Sequence, residues 1–324
     1  MPGRWVRRGG LWSVWIPPQS RVETAPLRSI RKKLEYHPFD RLPCSHLQEI
    51  VQTPMHPTAH KLREKIAQNR PVLGTFLVEL EGAPVAQALA DAGFDFVLVD
   101  CEHGNYGPRA VESIIEAAYH AGICSLVRPP TVSRDMITRI LDAGAGGVLL
   151  PAIDSMEQVE QAVRVSKYRP LGQRGVHLLR GHTRHRPVDA TTFLAEANRD
   201  VLTLIQIELE GAVAIADKIA ATAGVDGLYV GPGDLSVDLG VPGQWKAPSV
   251  QSAIQKVAAA CRRHGKIMGC HTDRIEDMPR LRELGVQLFG YSCDIGLLRN
   301  AATALAENFR TTFAPQAPPA PTSK

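Results

Sequence analysis

The stretch FDFVLVDCEHGNYGPRAVESIIEAAYHAGICSLVRPP, residues 94–130, decides the fold. It opens with an apolar run that closes on Asp100 and carries the aromatic and β-branched residues that strands favour. From Pro108 to Ala121 the period changes. Val111, Ile114, Ile115 and Ala118 fall at helical spacing, while Glu112, Ser113 and Glu116 take the other side. A second apolar run follows and ends at Arg128. Strand, amphipathic helix and strand at this spacing form a parallel crossover unit.

The same alternation extends in both directions. Apolar runs lie at 72–78, 94–100, 123–128, 147–150, 201–208, 227–231, 266–270 and 287–291, each followed by a helical candidate. Eight such units in about 240 residues match the arithmetic of a (β/α)8 TIM barrel. A doubly wound open sheet is the competing fold, and no G-x-G-x-x-G follows the first run to support it. With 44% apolar and 22% charged residues, the chain can build a large core and is not disordered. No stretch reaches the roughly 18 apolar residues of a membrane helix, so no membrane partner is expected.

The ends read differently. Residues 1–60 hold eight of the 24 prolines and three of the four tryptophans, with no period that persists. They also hold nine of the 37 Lys/Arg and four of the 33 Asp/Glu, which leaves 28 against 29 in the remainder. The body is therefore neutral and shows no nucleic-acid footprint. The expected organisation is an extension over 1–60, poorly structured or outside the native chain with Met55 as an alternative start, a barrel over 61–310, and a flexible tail over 311–324. The Arg bias before Glu23 also allows a mitochondrial transit peptide, against which stand scarce serines and the lack of an amphipathic helix. Six scattered cysteines without a C-x-x-C pair indicate neither a zinc ribbon nor a disulfide framework, and the expected compartment is the reducing cytoplasm.

In a (β/α)8 barrel the chemistry sits at the carboxyl ends of the strands. The second run ends in Asp100-Cys101-Glu102-His103-Gly104, the third in Arg128-Pro129-Pro130, the fifth in Gln206-Ile207-Glu208, and the sixth leads into Gly231-Pro232-Gly233-Asp234. Each has a plain structural alternative. Asp234 could cap a helix, Glu208 could pair with a lysine, Arg128 could hold a loop carboxylate, and His103 could be a satisfied loop histidine. Their coincidence at one barrel end favours a site. Two carboxylates with water and substrate oxygens suit a hard cation such as Mg²⁺, and zinc held by protein ligands alone does not fit. A cation so held would chelate a 2-oxo acid and polarise its carbonyl, which acidifies the adjacent C–H. A neutral His suits general acid/base work, Arg suits a developing enolate oxygen, and the backbone at Gly233-Asp234 suits a substrate carboxylate. A Schiff-base route would need a lysine at an inner strand end, and none is found there. P-loop and G-x-S-x-G motifs are also missing.

These residues resemble the HpcH/HpaI aldolase and citrate lyase β-subunit family, the metal-dependent class II pyruvate aldolases that include 4-hydroxy-2-oxoheptanedioate aldolase and 2-keto-3-deoxy sugar acid aldolases. The resemblance covers about residues 73–309. It rests on Gly74-Thr75-Phe76, Ala92-Gly93-Phe94-Asp95, Asp100-x-Glu102-His103-Gly104, Val127-Arg128-Pro129, Leu141-Asp142-Ala143-Gly144, Arg174-Gly175, Gln206-Ile207-Glu208, Gly231-Pro232-Gly233-Asp234-Leu235-Ser236 and Asp294-x-x-Leu297-Leu298.

The resemblance implies Glu208 and Asp234 as ligands of a divalent cation (Mg²⁺, Mn²⁺ or Co²⁺), with Asp100 holding metal-bound water. It implies His103 as the acid/base residue, Arg128 as the enolate stabiliser, Asp142 as the group that raises the basicity of the histidine from a neighbouring position, and Gln206 and Gly233 as substrate contacts. The implied assembly is a homo-oligomer, a hexamer with the last helix exchanged between neighbours. The implied reaction is reversible retro-aldol cleavage of a 4-hydroxy-2-oxo acid, a sugar acid or dicarboxylate, to pyruvate and an aldehyde through a pyruvate enolate. Oxaloacetate decarboxylation or macrophomate-synthase-like chemistry through the same enolate is the alternative, and an inactive scaffold is a further one. The chain departs from the family after Arg174-Gly175, where 176–186 carries His177, His182, His185, Arg180, Arg184 and Arg186. This loop is expected on the catalytic side, either recognising an anionic substrate tail or acting as a solvated lid.

Overall fold

The computed structural model describes residues 4–8, 11–16 and 56–313. Eight strands, β1 (Val72–Leu77), β2 (Phe96–Asp100), β3 (Cys124–Arg128), β4 (Gly147–Leu150), β5 (Leu202–Ile207), β6 (Gly227–Val230), β7 (Ile267–Thr272) and β8 (Leu288–Cys293), pair in parallel in chain order. The last returns to the first, with Leu288 opposite Val72, and the sheet closes. Each strand lies on one of the eight apolar runs, with β7 and β8 extending past the ends of theirs.

The helices that follow the early strands form for local reasons. Pro108, at the first helical turn, loses no backbone bond there, and Gly122 ends the same helix in the left-handed conformation (φ 77°). Helix α1 (Pro57–Ala67) precedes β1, and α2 (Ala83–Asp91) follows it. Then come α3 (Pro108–Ala121), α4 (Arg134–Ala143), α5 (Met156–Ser166) and α6 (Ala190–Asp200). The second half carries α7 (Glu210–Ala214), α8 (Ala216–Ala221), α9 (Pro232–Asp238), α10 (Pro248–His264), α11 (Met278–Leu284) and α12 (Asp294–Thr312). Helix α1 thus begins before the expected boundary at residue 61, and α12 runs past 310.

The twofold period of a strand divides the core. Val97, Val99, Val127, Val148, Ile205 and Val230 point outward into a jacket packed against the helices. Phe96, Leu98, Leu126, Leu149, Leu204, Tyr229 and Leu288 point inward and fill the barrel. Ala59, Leu62 and Ile66, at helical spacing on α1, belong to the same inner cluster, and α1 stoppers the end where the strands begin. Arg63 of α1 donates to the Asp200 carbonyl at 2.9 Å and the Asp226 carboxylate at 2.5 Å.

Large and small residues alternate inside. A Cβ at Gly269 would lie 2.3 Å from the Tyr229 ring, and one at Gly290 would lie 2.0 Å from its hydroxyl. Only glycine fits there.

Arg4–Arg8 and Leu11–Ile16 pair as antiparallel strands, with Trp5 opposite Trp15 and an irregularity between Trp5 and Arg7. This pairing was not anticipated for a segment without a persistent period. It belongs to a unit of its own, 1–52, apart from 53–324. The rest of the expected extension up to residue 55, and the tail beyond 313, lie outside the described residues. Among the described residues, no helix is long and apolar enough to cross a membrane.

Gly290→Ala is expected to destabilise the barrel by about 1–3 kcal/mol through overpacking against Tyr229. Tyr229→Phe removes the clashing hydroxyl, which is buried without a partner. Denaturant unfolding of the two single variants and the double variant should show most of the loss recovered in the double.

Candidate active site

The inward columns change character at the carboxyl end. Asp100 continues the column of Phe96 and Leu98, Arg128 that of Cys124 and Leu126, and Gln206 with Glu208 that of Leu202 and Leu204. A register that packs the lower layers therefore turns these polar groups inward at the top. All four are buried.

Arg128 and Asp100 form a two-pronged pair. Nε donates to Oδ1 at 2.9 Å and Nη2 to Oδ2 at 2.6 Å, while Arg128 Nη1 lies 3.0 Å from Glu102 Oε2. Asp100 Oδ1 also accepts from the backbone N–H groups of Glu102 (3.0 Å) and His103 (3.4 Å), which pins the turn that carries His103. The arrangement gives Asp100 a role beyond that implied by the resemblance, because it fixes the arginine and the His103 loop together. Burial pushes the Glu102 carboxyl up, and Arg128 opposes this. The guanidinium also stands 5.1 Å from the centre of the Phe76 ring.

Glu208 Oε1 accepts from the Ala152 N–H at 2.7 Å, and Oε2 accepts from the Gln206 side-chain amide. Burial pushes its carboxyl above the usual range, the Ala152 bond opposes this, and the charge of Asp234 adds to it. Asp234 lies in the first turn of α9, behind Gly231 at the N-cap, so it is not the helix cap.

A cavity of about 410 Å³ opens at this mouth and is lined by Asp100, His103, Arg128, Gln206, Gly233 and Asp234 among others. His103 is exposed at the rim. The candidate residues of β2, β3, β5 and α9 thus meet in one place, with Glu208 bonded to Gln206. A larger cleft of about 730 Å³ lined by Arg63, Arg262, Lys266 and Arg282 holds none of them.

Among the described residues there is no group of three or more metal-ligating side chains. The donor set fits a hard cation nonetheless. Two carboxylates that repel one another, beside a buried Gln206 Oε1 without a partner, suit an ion that keeps water and substrate oxygens in its shell.

Two expectations place differently. Asp142 sits in the last turn of α4, where its carboxylate accepts from Arg174 at 2.8 Å and its carbonyl meets His182 Nδ1 at 2.9 Å. It does not line the cavity with His103. The 176–186 loop is not on the catalytic side of its own barrel. It follows α5 rather than β4, so it belongs to the face where the strands begin. There Gly181 abuts the Ala143 carbonyl, Arg180 pairs with Glu112 at 2.9 Å, and Arg184 lies 3.2 Å from the centre of the Tyr119 ring.

The sequence reading missed Trp245, His271, Asp273, Ser292 and Cys293, which line the same cavity. The last four stand at or just beyond the ends of β7 and β8. The strand-end rule would have reached them had the seventh and eighth runs not been ended at 270 and 291, where the apolar signal stops.

The family model for HpcH/HpaI aldolase/citrate lyase matches residues 74–301. The 5-keto-4-deoxy-D-glucarate aldolase of Klebsiella pneumoniae is 35% identical over 227 residues, covering 69% of this chain and 87% of that protein. The crystal structure of an HpcH/HpaI aldolase from Desulfitobacterium hafniense DCB-2 superposes with a TM-score of 0.74 at 34% identity, over 80% of this chain and 99% of that one. Macrophomate synthase gives a TM-score of 0.67 at 26% identity, over 79% and 91%. The chain belongs to the HpcH/HpaI aldolase/citrate lyase family and is a carbon–carbon lyase.

Proposed function

We propose that this enzyme reversibly cleaves 4-hydroxy-2-oxo acids, sugar acids or dicarboxylates, to pyruvate and an aldehyde, with Mg²⁺, Mn²⁺ or Co²⁺ held by Glu208 and Asp234. The observation that carries the reading is the gathering of Arg128, Gln206, Asp234 and His103 around one 410 Å³ cavity, with Arg128 locked by Asp100. The cation, when bound, polarises the 2-oxo group and acidifies the neighbouring C–H.

The protein's own groups do the rest. Arg128, already oriented, stabilises negative charge as it develops on the C2 oxygen. His103 at the rim takes the proton of the C4 hydroxyl. The C3–C4 bond breaks, its electron pair forms the enolate, and the aldehyde departs. Protonation at C3 then gives pyruvate. Gln206 and the Gly233 backbone hold the substrate carboxylate end.

Asp142 is assigned to the His103 of a neighbouring subunit. Helix α12 supports an oligomer, a hexamer by the resemblance, because Leu298, Leu305 and Phe309 are exposed along it. The unpaired Cys101, Cys124, Cys261, Cys270 and Cys293 fit a cytoplasmic location. The likeness to macrophomate synthase favours a second reading, decarboxylation of oxaloacetate, which breaks the equivalent bond and uses the same enolate.

Deuterium exchange at the pyruvate methyl group, followed by NMR, should require added divalent metal and stop with EDTA. Protein shown to bind metal but inert to exchange would refute the aldolase reading. Arg128→Ala should lower kcat by about 10²-fold or more, as loss of an oxyanion donor does. It should also destabilise the fold by about 3–5 kcal/mol, because Asp100 is left charged and buried. Parallel steady-state kinetics and thermal unfolding check both, and retention of activity would remove Arg128 from the mechanism.

A further inference from the structure

The groups assigned to the oxo-acid end come from β2, β3, β5 and α9 after β6. Three consecutive strands, β7, β8 and β1, face the rest of the cavity and have no part in that assignment. They line the part of the cavity left for the aldehyde portion of the substrate. Their surface is not uniformly apolar.

His271, on β7, projects into the cavity lining between two aromatic rings. Phe76 meets it edge-on at 5.2 Å and 87°, and Trp245 at 6.0 Å and 70°. Its Nε2 lies 3.4 Å from Asp273 Oδ1, a long contact that leaves room for a further partner. The His271 ring and the Ser292 hydroxyl beside Asp273 hold its carboxyl below the usual range, with the charge of Arg299 adding least. Ser292 itself sits at φ 51°, a left-handed conformation that a non-glycine residue adopts only where its surroundings impose it. The fold thus holds a donor and an acceptor side by side in an aromatic frame. Arg128, the cation over the Phe76 ring, is committed to Asp100 and Glu102.

We propose that His271 and Asp273 form the acceptor subsite and select an uncharged, hydroxylated aldehyde, which assigns the sugar-acid rather than the dicarboxylate class to this enzyme. The inference rests on the aldolase reading of the cavity. A hydroxyl both gives and takes a hydrogen bond, so it satisfies the imidazole and the carboxylate together. An alkyl tail offers neither group a further partner, and a carboxylate tail meets the charge of Asp273. His271 is a specificity-determining residue here, and the proton at C4 remains the work of His103.

The test is aldol addition of pyruvate to D-glyceraldehyde, propanal and succinic semialdehyde, with kcat/KM for each, by the full-length metal-loaded enzyme. Wild type should prefer glyceraldehyde to both others. His271→Leu should cut the glyceraldehyde-to-propanal ratio about tenfold, the size of one lost hydrogen bond. His271→Gln, which keeps a polar atom near the Nε2 position, should retain most of it. Ratios cancel any general loss of folding or metal. A ratio unchanged in His271→Leu, or a wild type that prefers succinic semialdehyde, overturns the inference while the aldolase reading stands. Absence of metal-dependent pyruvate exchange in wild type removes the aldolase reading and this inference with it.

Discussion

The constraint on which everything else depends is the closure of a parallel sheet whose side chains alternate with a period of two. Once the sheet closes, every second residue of every strand must face the interior, where there is room for side chains and little for water. The lower layers satisfy this with Leu126, Leu149, Leu204 and Leu288, and with two rings, Phe96 and Tyr229, accommodated by glycines. At the top the same columns deliver Asp100, Arg128, Gln206 and Glu208. A slip of one residue in any strand would turn its polar group outward and its jacket residues inward. Core packing and the position of these polar groups are therefore one specification.

The Asp100–Arg128 pair illustrates how that specification is held. Two charges taken out of water lose several kcal/mol of hydration each, and the pair recovers this only with good geometry and further bonds. Here the geometry is two-pronged, Asp100 takes two more backbone donors, and Glu102 and the Phe76 face meet the guanidinium. The result is a guanidinium held in one orientation at the cavity. Asp294 does comparable work at the seam. Its Oδ2 accepts from the N–H groups of Val78, Glu79 and Leu80 at 3.0, 3.0 and 2.7 Å, tying the start of α12 to the turn after β1.

Legibility followed signal strength. The eight runs were readable because apolar residues at a period of two or 3.6 mark strands and helices regardless of partners. Asp100, Arg128, Gln206, Glu208 and Asp234 were readable because each ends such a run or closely follows one, and one end of a barrel collects them. His271, Asp273 and Ser292 obey the same rule but fall where β7 and β8 extend into polar sequence, so periodicity gave no mark. The 176–186 loop was misplaced because its charge was weighed without counting the intervening helix, which sends the chain back to the opposite face. Asp142 reads as a helix-end acid. Its ion pair with Arg174, 32 positions away, leaves no local pattern.

By itself, then, the sequence determined the number and order of the barrel strands, their inward parity, and hence which acids, which histidine and which arginine stand at the mouth, because these follow from local periodicity and chain connectivity. Only the tertiary structure decided who meets whom. The bidentate Asp100–Arg128 bond, the Gln206–Glu208 contact, the stacking of Arg184 on Tyr119 and the aromatic frame around His271 all join residues far apart in the chain or depend on rotamers. Such contacts are set by the shape of the closed barrel, and no stretch of the chain encodes them locally.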